Sequence, residues 1–187
     1  MSYKYEEDID MIVPTVFISS DNNYLINWEI ITTKGFQEEL LPEFCSYEII
    51  DAYYNVLSVF HLYFNKNISF GIRLEDNSYQ MIKKNKFYLK GDSMGIAWLI
   101  GAISMYSRKK FPNNLLAWGA IKPIRNGGFS VYKTSGTEQK IYFAIQNKFD
   151  KIVFHKDEKH SISFQKSILL PSDIKDTFNI LLRIVNE

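Results

Sequence analysis

Two runs of strand-like spacing open the chain. Val13-Pro14-Thr15-Val16-Phe17-Ile18 is apolar and β-branched, Asp21-Asn22-Asn23 supplies turn chemistry, and residues 24–33 (YLINWEIITT) resume with β-formers. This pattern predicts a β-hairpin over residues 11–34. Residues 35–42 read as an irregular link. The period then changes: Ile49, Tyr53, Val56, Leu57, Phe60 and Phe64 recur at helical spacing behind Ser46. A capped helix over 46–64 with one apolar face follows, with His61 beside the stripe as a partly buried histidine. Residues 67–74 (NISFGIRL) read as a strand, Glu75-Asp76-Asn77-Ser78 as a polar link, and Phe87-Tyr88-Leu89 as an extended lead into Lys90-Gly91-Asp92-Ser93-Met94-Gly95.

From Ile96 the pattern turns apolar. Ile96, Ala97, Leu99, Ile100 and Ile103 predict a buried helix, followed by the cations Arg108-Lys109-Lys110 and stopped at Phe111-Pro112. Residues 115–124 read as a strand, Asn126-Gly127-Gly128 as a turn, 129–132 as a returning strand, 137–146 as a helix and 151–154 as a short buried strand. A last helix starts after Pro171, with Ser172 as its cap, and buries Ile174, Phe178, Leu181 and Val185. Strands and helices alternate without repeat or linker. The expectation is one α/β (α+β) domain over residues 1–187, with mixed sheets, packed helices and a flexible lead at 1–10.

Composition narrows the function classes. At 187 residues, 46% apolar and 16% aromatic, the chain can bury a substantial core. A net charge of +1 gives no electrostatic reason to expect nucleic acid or acidic lipid as a partner. The clusters Lys83-Lys84-Lys86 and Arg108-Lys109-Lys110 read as solvated turns. Cys45 is the only cysteine, so an intrachain disulfide is excluded, and it reads as a small half-buried residue. The polar, acidic first residues are the reverse of a secretory signal, and the longest apolar run, 94–106, is too short to span a bilayer. A cytoplasmic protein is therefore expected. His155-Lys156-Asp157-Glu158-Lys159-His160 lacks zinc-motif spacing and reads as a solvated turn; neither metal nor cofactor is expected.

Candidate chemistry begins at Ser93. It lies between Gly91 and Gly95, where an extended segment gives way to a helix. One reading is a helix cap. The other is an acyl-transfer nucleophile, with an oxyanion site made by backbone N–H groups around Gly91, Asp92 and Gly95. A serine needs a base, and none of the three histidines stands in a Ser-His-Asp-like context. Lys140, in the first turn of the 137–146 helix, can serve if its pKa falls by about 3 units, or about 4 kcal/mol against the charged form. The helix dipole contributes only ~0.3–1 kcal/mol. Desolvation by residues such as Trp118, Phe129, Ile141 and Phe143 must therefore supply the rest.

Taken in order, these motifs resemble the proteolytic domain of Lon proteases, which use a Ser–Lys dyad. Gly91, Ser93 and Gly95 match the nucleophile motif. Leu116-Ala117-Trp118-Gly119-Ala120-Ile121 resembles the family's small-Thr-Gly-Glu-Ile strand. Gly136, Lys140 and Ala144 match the lysine helix, and Lys151-Ile152-Val153-Phe154-His155 the strand after it. The similarity covers most of residues 11–187. Lys90 stands where many relatives are acidic, Trp118 and Ala120 replace the strand's Thr and Glu, and Ser135 replaces a glycine. Either Thr134, Thr137 or a backbone carbonyl then substitutes in holding the lysine, or the dyad is misaligned.

The resemblance implies Ser93 as nucleophile and Lys140 as base, with Trp118, Gly119, Gly136 and Thr137 lining the site. No phosphate-loop motif occurs, so an ATP-independent endopeptidase acting on exposed or unfolded segments of protein or peptide is expected. Self-assembly into a homo-oligomer and a partner protein for activation or delivery are further implications. A non-catalytic interaction module and a small-molecule amidase or esterase stand as alternatives.

Overall fold

The computed structural model describes residues 11–33, 41–64 and 69–187. The flexible lead expected at 1–10 and most of the link at 35–42 lie outside the described residues. Among these residues the order is β1 (Met11–Ile18), β2 (Asn23–Thr33), α1 (Tyr47–Tyr63), β3 (Ser69–Leu74), α2 (Asp76–Asn85), α3 (Gly95–Tyr106) and β4 (Leu115–Ala117). There follow β5 (Ala120–Pro123), β6 (Phe129–Tyr132), α4 (Thr137–Gln146), β7 (Lys151–His155), β8 (Ser167–Leu170) and α5 (Ile174–Asn186). The fold is α/β with mixed sheets, as the alternation predicts. β1, β2 and β3 make an antiparallel sheet in that order, β4, β7 and β8 a parallel one, and β5 and β6 a hairpin. No described helix is long and apolar enough to cross a membrane.

The elements pack around α3. Every residue of α3 from Gly95 to Ser104 is buried, as a helix apolar on all sides requires. It lies against β1 and β2 on one side and against α1 and α5 elsewhere. Trp98 of α3 meets Trp28 of β2 edge-on, with centroids 5.0 Å apart. The approach to the sheet is close enough to demand glycine at 101. A Cβ there would stand 2.4 Å from Val13 Cγ2 and 2.5 Å from Ile30 Cδ1. A second, smaller cluster joins Leu116, Trp118, Ile141, Phe143, Ala144, Ile152 and Phe154, between α4 and the parallel strands.

Several sequence expectations are corrected. Residues 75–78 are not a link: Glu75 caps α2, its carboxylate accepting the N–H groups of Asn77 and Ser78. That helix buries only Ser78 and Ile82, too thin an apolar stripe to register in the pattern. Lys83 and Lys84 close this helix rather than forming a turn. The strand read over 115–124 is broken at Gly119 (φ +154°), so that β4 joins the parallel sheet and β5 turns into the hairpin. β8 is an unforeseen four-residue strand. Asp173, not Ser172, caps α5 by accepting the Asp176 N–H at 2.9 Å. Cys45 is buried rather than half-buried, and burial pushes its thiol up to about 12, which leaves it inert.

Candidate active site

Three segments converge on one groove of about 680 Å³: residues 15–18 of β1, residues 88–94 ahead of α3, and residues 133–135 ahead of α4. Ser93 and Lys140 both line it. They also share a narrower space with Thr15, Val16, Met94 and Trp118.

The Ser93 segment is held from two directions. On one side, Leu89 bridges to Cys45: its N–H donates to the Phe44 carbonyl and its carbonyl accepts the Ser46 N–H, both at 2.9 Å. Gly91, at φ +95°, donates its N–H to Glu48 Oε2 of α1 at 2.9 Å. On the other side is Gly119, whose N–H donates to the Ser93 carbonyl at 2.8 Å and whose carbonyl accepts the Ile96 N–H at 3.2 Å. A Cβ on Gly95 would stand 3.3 Å from that Gly119 oxygen, so a bare backbone at 95 suits this clamp.

Helix α3 starts at Gly95 with Met94 as its cap residue and no side-chain cap, so Ser93 is not serving as one. Of the backbone donors expected for an oxyanion, the Gly91 N–H is taken by Glu48, and the Gly95 N–H faces the Asp92 carbonyl at 3.3 Å. The N–H groups of Asp92, Ser93 and Met94 carry no hydrogen bond among the described residues. They sit at the positive end of a buried helix. The Asp92 carboxylate pairs with Lys122 Nζ at 2.7 Å, and this bond raises the lysine's pKa.

Gly136, left-handed at φ +72°, starts α4 and accepts the Lys140 N–H at 3.0 Å. A Cβ there would stand 2.5 Å from Ile18 Cδ1, so α4 begins directly against the end of β1. The Lys140 side chain turns inward and is only 4% exposed. Its Nζ donates to Thr134 Oγ1 at 3.0 Å and lies 5.7 Å from the centroid of the Trp118 ring. Burial lowers its pKa from 10.5 to about 8, against the opposing pull of the Glu158 and Asp92 charges. At pH 7 roughly a tenth of such amines are neutral, against fewer than about one in a thousand for an ordinary lysine.

Glu158 is the residue that sequence reasoning missed. The stretch 155–160 turns out to solvent at Lys156, Asp157, Lys159 and His160, but Glu158 is 6% exposed and His155 3%. The Glu158 carboxylate accepts from Trp118 Nε1 at 2.7 Å, from the Thr134 N–H at 2.9 Å, from Thr134 Oγ1 at 3.2 Å and from Thr137 Oγ1. Thr134 thus takes the lysine, while Thr137 turns to the carboxylate. Of the apolar groups expected around the amine, Trp118 is in place, stacked on Phe154 with centroids 5.1 Å apart. Phe129 instead packs against the main core, at the far end of the β5–β6 hairpin.

None of the three histidines lines the groove. The Asp157 N–H points at His155 Nδ1, so the ring's hydrogen is on Nε2, facing Ser172 Oγ at 2.9 Å. His160 packs edge-on against Phe154. No group of three or more His, Cys, Asp or Glu among the described residues is placed to hold a metal ion. Comparison with known proteins finds no matching family model and no matching curated protein.

Proposed function

We propose that this chain is an ATP-independent serine endopeptidase of the Lon-like kind. The observation that carries the reading is a buried lysine amine, its pKa lowered to about 8, lining the same groove as a serine clamped at a helix start. Ser93 Oγ attacks the scissile carbonyl carbon and neutral Lys140 Nζ takes its proton. The oxyanion is held by N–H groups of the Asp92–Met94 segment. The C–N bond then breaks as Lys140 gives the proton to the leaving amine. Water, deprotonated by the same lysine, next releases the acyl group from Ser93.

β1 is an edge strand of its sheet, and its residues 15–18 line the groove. An extended substrate pairs with that edge, and Val16, Ile26, Trp28 and Met94 receive an apolar side chain. Action in the cytoplasm, assembly into a homo-oligomer and help from a delivery partner belong to the same proposal.

The test compares wild type, Ser93→Ala and Lys140→Met on fluorescein-labelled casein, with a fluorophosphonate probe reporting Ser93 reactivity. Each variant is expected to lose at least ~10²-fold in rate. Equal cleavage by wild type and Lys140→Met would overturn the dyad. A second reading, a module that binds without cutting, is favoured by the lack of a hydrogen bond between Ser93 Oγ and Lys140 Nζ, whose partner is Thr134. Casein retained but uncut, with no probe labelling, would establish it.

A further inference from the structure

The four hydrogen bonds at Glu158 constrain the direction of a fifth. A hydroxyl has a single hydrogen. Thr134 directs its hydrogen to Glu158 Oε1 at 3.2 Å, so toward Lys140 its oxygen can only accept. In the 3.0 Å contact between Lys140 Nζ and Thr134 Oγ1 the amine must therefore be the donor. A neutral amine has two hydrogens and one lone pair. Anchoring one N–H on Thr134 turns the lone pair away from Thr134. A Thr134 hydroxyl free to rotate would donate to that lone pair and mask the base.

We infer that Glu158 is a positioning residue: by taking the Thr134 hydrogen it keeps that hydroxyl an acceptor and leaves the Lys140 lone pair available to the groove. The role in catalysis rests on the Ser93–Lys140 reading. The effect on the Lys140 amine does not.

The donor set explains why a carboxylate is required. Oε1 receives the fixed Thr134 N–H and Oε2 the fixed Trp118 N–H. A carboxamide would have to place its NH₂ against one of them, whichever way it turned. Other charges near the amine are those of Asp92, which is paired with Lys122, and of Lys90 and Lys133 along the groove. Lys133, Glu138, Asp157 and Lys159 surround Glu158 in the adjoining cavity. None of these is bonded to the Thr134 hydroxyl.

The experiment follows the Lys140 amine by NMR titration in the full chain labelled with ¹³C at lysine Cε, the signal being assigned by its loss in Lys140→Met. Wild type should titrate near 8. Glu158→Gln removes a facing charge and weakens the grip on the hydroxyl, and Thr134→Val removes the acceptor for the ammonium. In both the midpoint should fall below wild type, and Thr134→Ser should restore it. On casein, the acid limb of the pH–rate profile should move with the NMR midpoint. The plateau should drop about 10–100-fold in Glu158→Gln and Thr134→Val, a part of what general-base catalysis contributes. The double variant should be no slower than Thr134→Val alone, because both act through one hydroxyl.

An unmoved midpoint in Glu158→Gln, or additive losses in the double variant, would overturn the inference. A plateau lowered with the midpoint unchanged would mark Glu158 as merely structural. If casein is not cut but the midpoint moves, the peptidase reading fails and the positioning of the amine stands. Should Glu158→Gln not fold, Glu158→Asp carries the test. It keeps the charge but shortens the reach to Thr134, so the midpoint should again fall, and a wild-type midpoint would overturn the inference.

Discussion

Lys140 is held at a cost. Its pKa is about 8 in the folded chain against 10.5 in a solvated lysine, so below pH 8 the native state carries a penalty of roughly 3 kcal/mol. Across the window from 8 to 10.5 the unfolded chain binds the extra proton, and stability therefore rises with pH there. Lys140→Met should raise the unfolding free energy at pH 7, measured by urea titration, by up to that amount, less whatever the Thr134 and Trp118 contacts contribute. The gain should shrink as pH climbs toward 10.5. A gain that stays constant between pH 8 and 10.5 would mean the amine is not desolvated. Activity takes the opposite path. In the proposed mechanism the neutral amine is the base, so the cleavage rate should rise with pH through about 8 and then level off, and a flat profile between pH 6 and 9 would count against Lys140 as base.

Between elements the tightest constraint is the contact of α3 with the β1–β2 hairpin at Gly101. An added methyl meets Val13 and Ile30 side chains from a rigid sheet face. Gly101→Ala should cost about 1–3 kcal/mol through overpacking, more than the ~1 kcal/mol that alanine adds to helix propensity. Urea titration reads the difference, and an unchanged midpoint would show that the hairpin and α3 slide freely. Because β1 also walls the groove, the same substitution should lower casein turnover. The helices at 47–63 and 137–146 were legible in sequence because each repeats apolar residues at helical spacing. α2 was not, since its stability comes from the Glu75 cap and from Ser78 Oγ accepting the Asn27 N–H at 2.9 Å.

At the scale of the molecule, the site belongs to no single layer. Its serine leads into the central helix, its lysine comes from the helix over the parallel sheet, and one wall of its groove is the antiparallel edge. The proposed mechanism uses no nucleotide. Unfolded casein should be cut at the same rate with and without ATP and magnesium, while a stably folded protein without exposed segments should resist. ATP-stimulated cleavage by the purified chain would overturn this.

The alternation of elements, the serine between two glycines and the lysine at the start of its helix are all written in local periodicity or backbone chemistry within a few residues. Packing across the chain is what buries Lys140, gives its amine to Thr134 rather than Thr137, and sets Trp118 beside it. Glu158 is the clearest instance. In the sequence it is one carboxylate in a charged stretch, and its role exists only because Trp118, Thr134 and Thr137 direct their hydrogens to one point. Local pattern specifies which surface an element buries, whereas convergence of polar groups across the chain depends on packing that no local window contains.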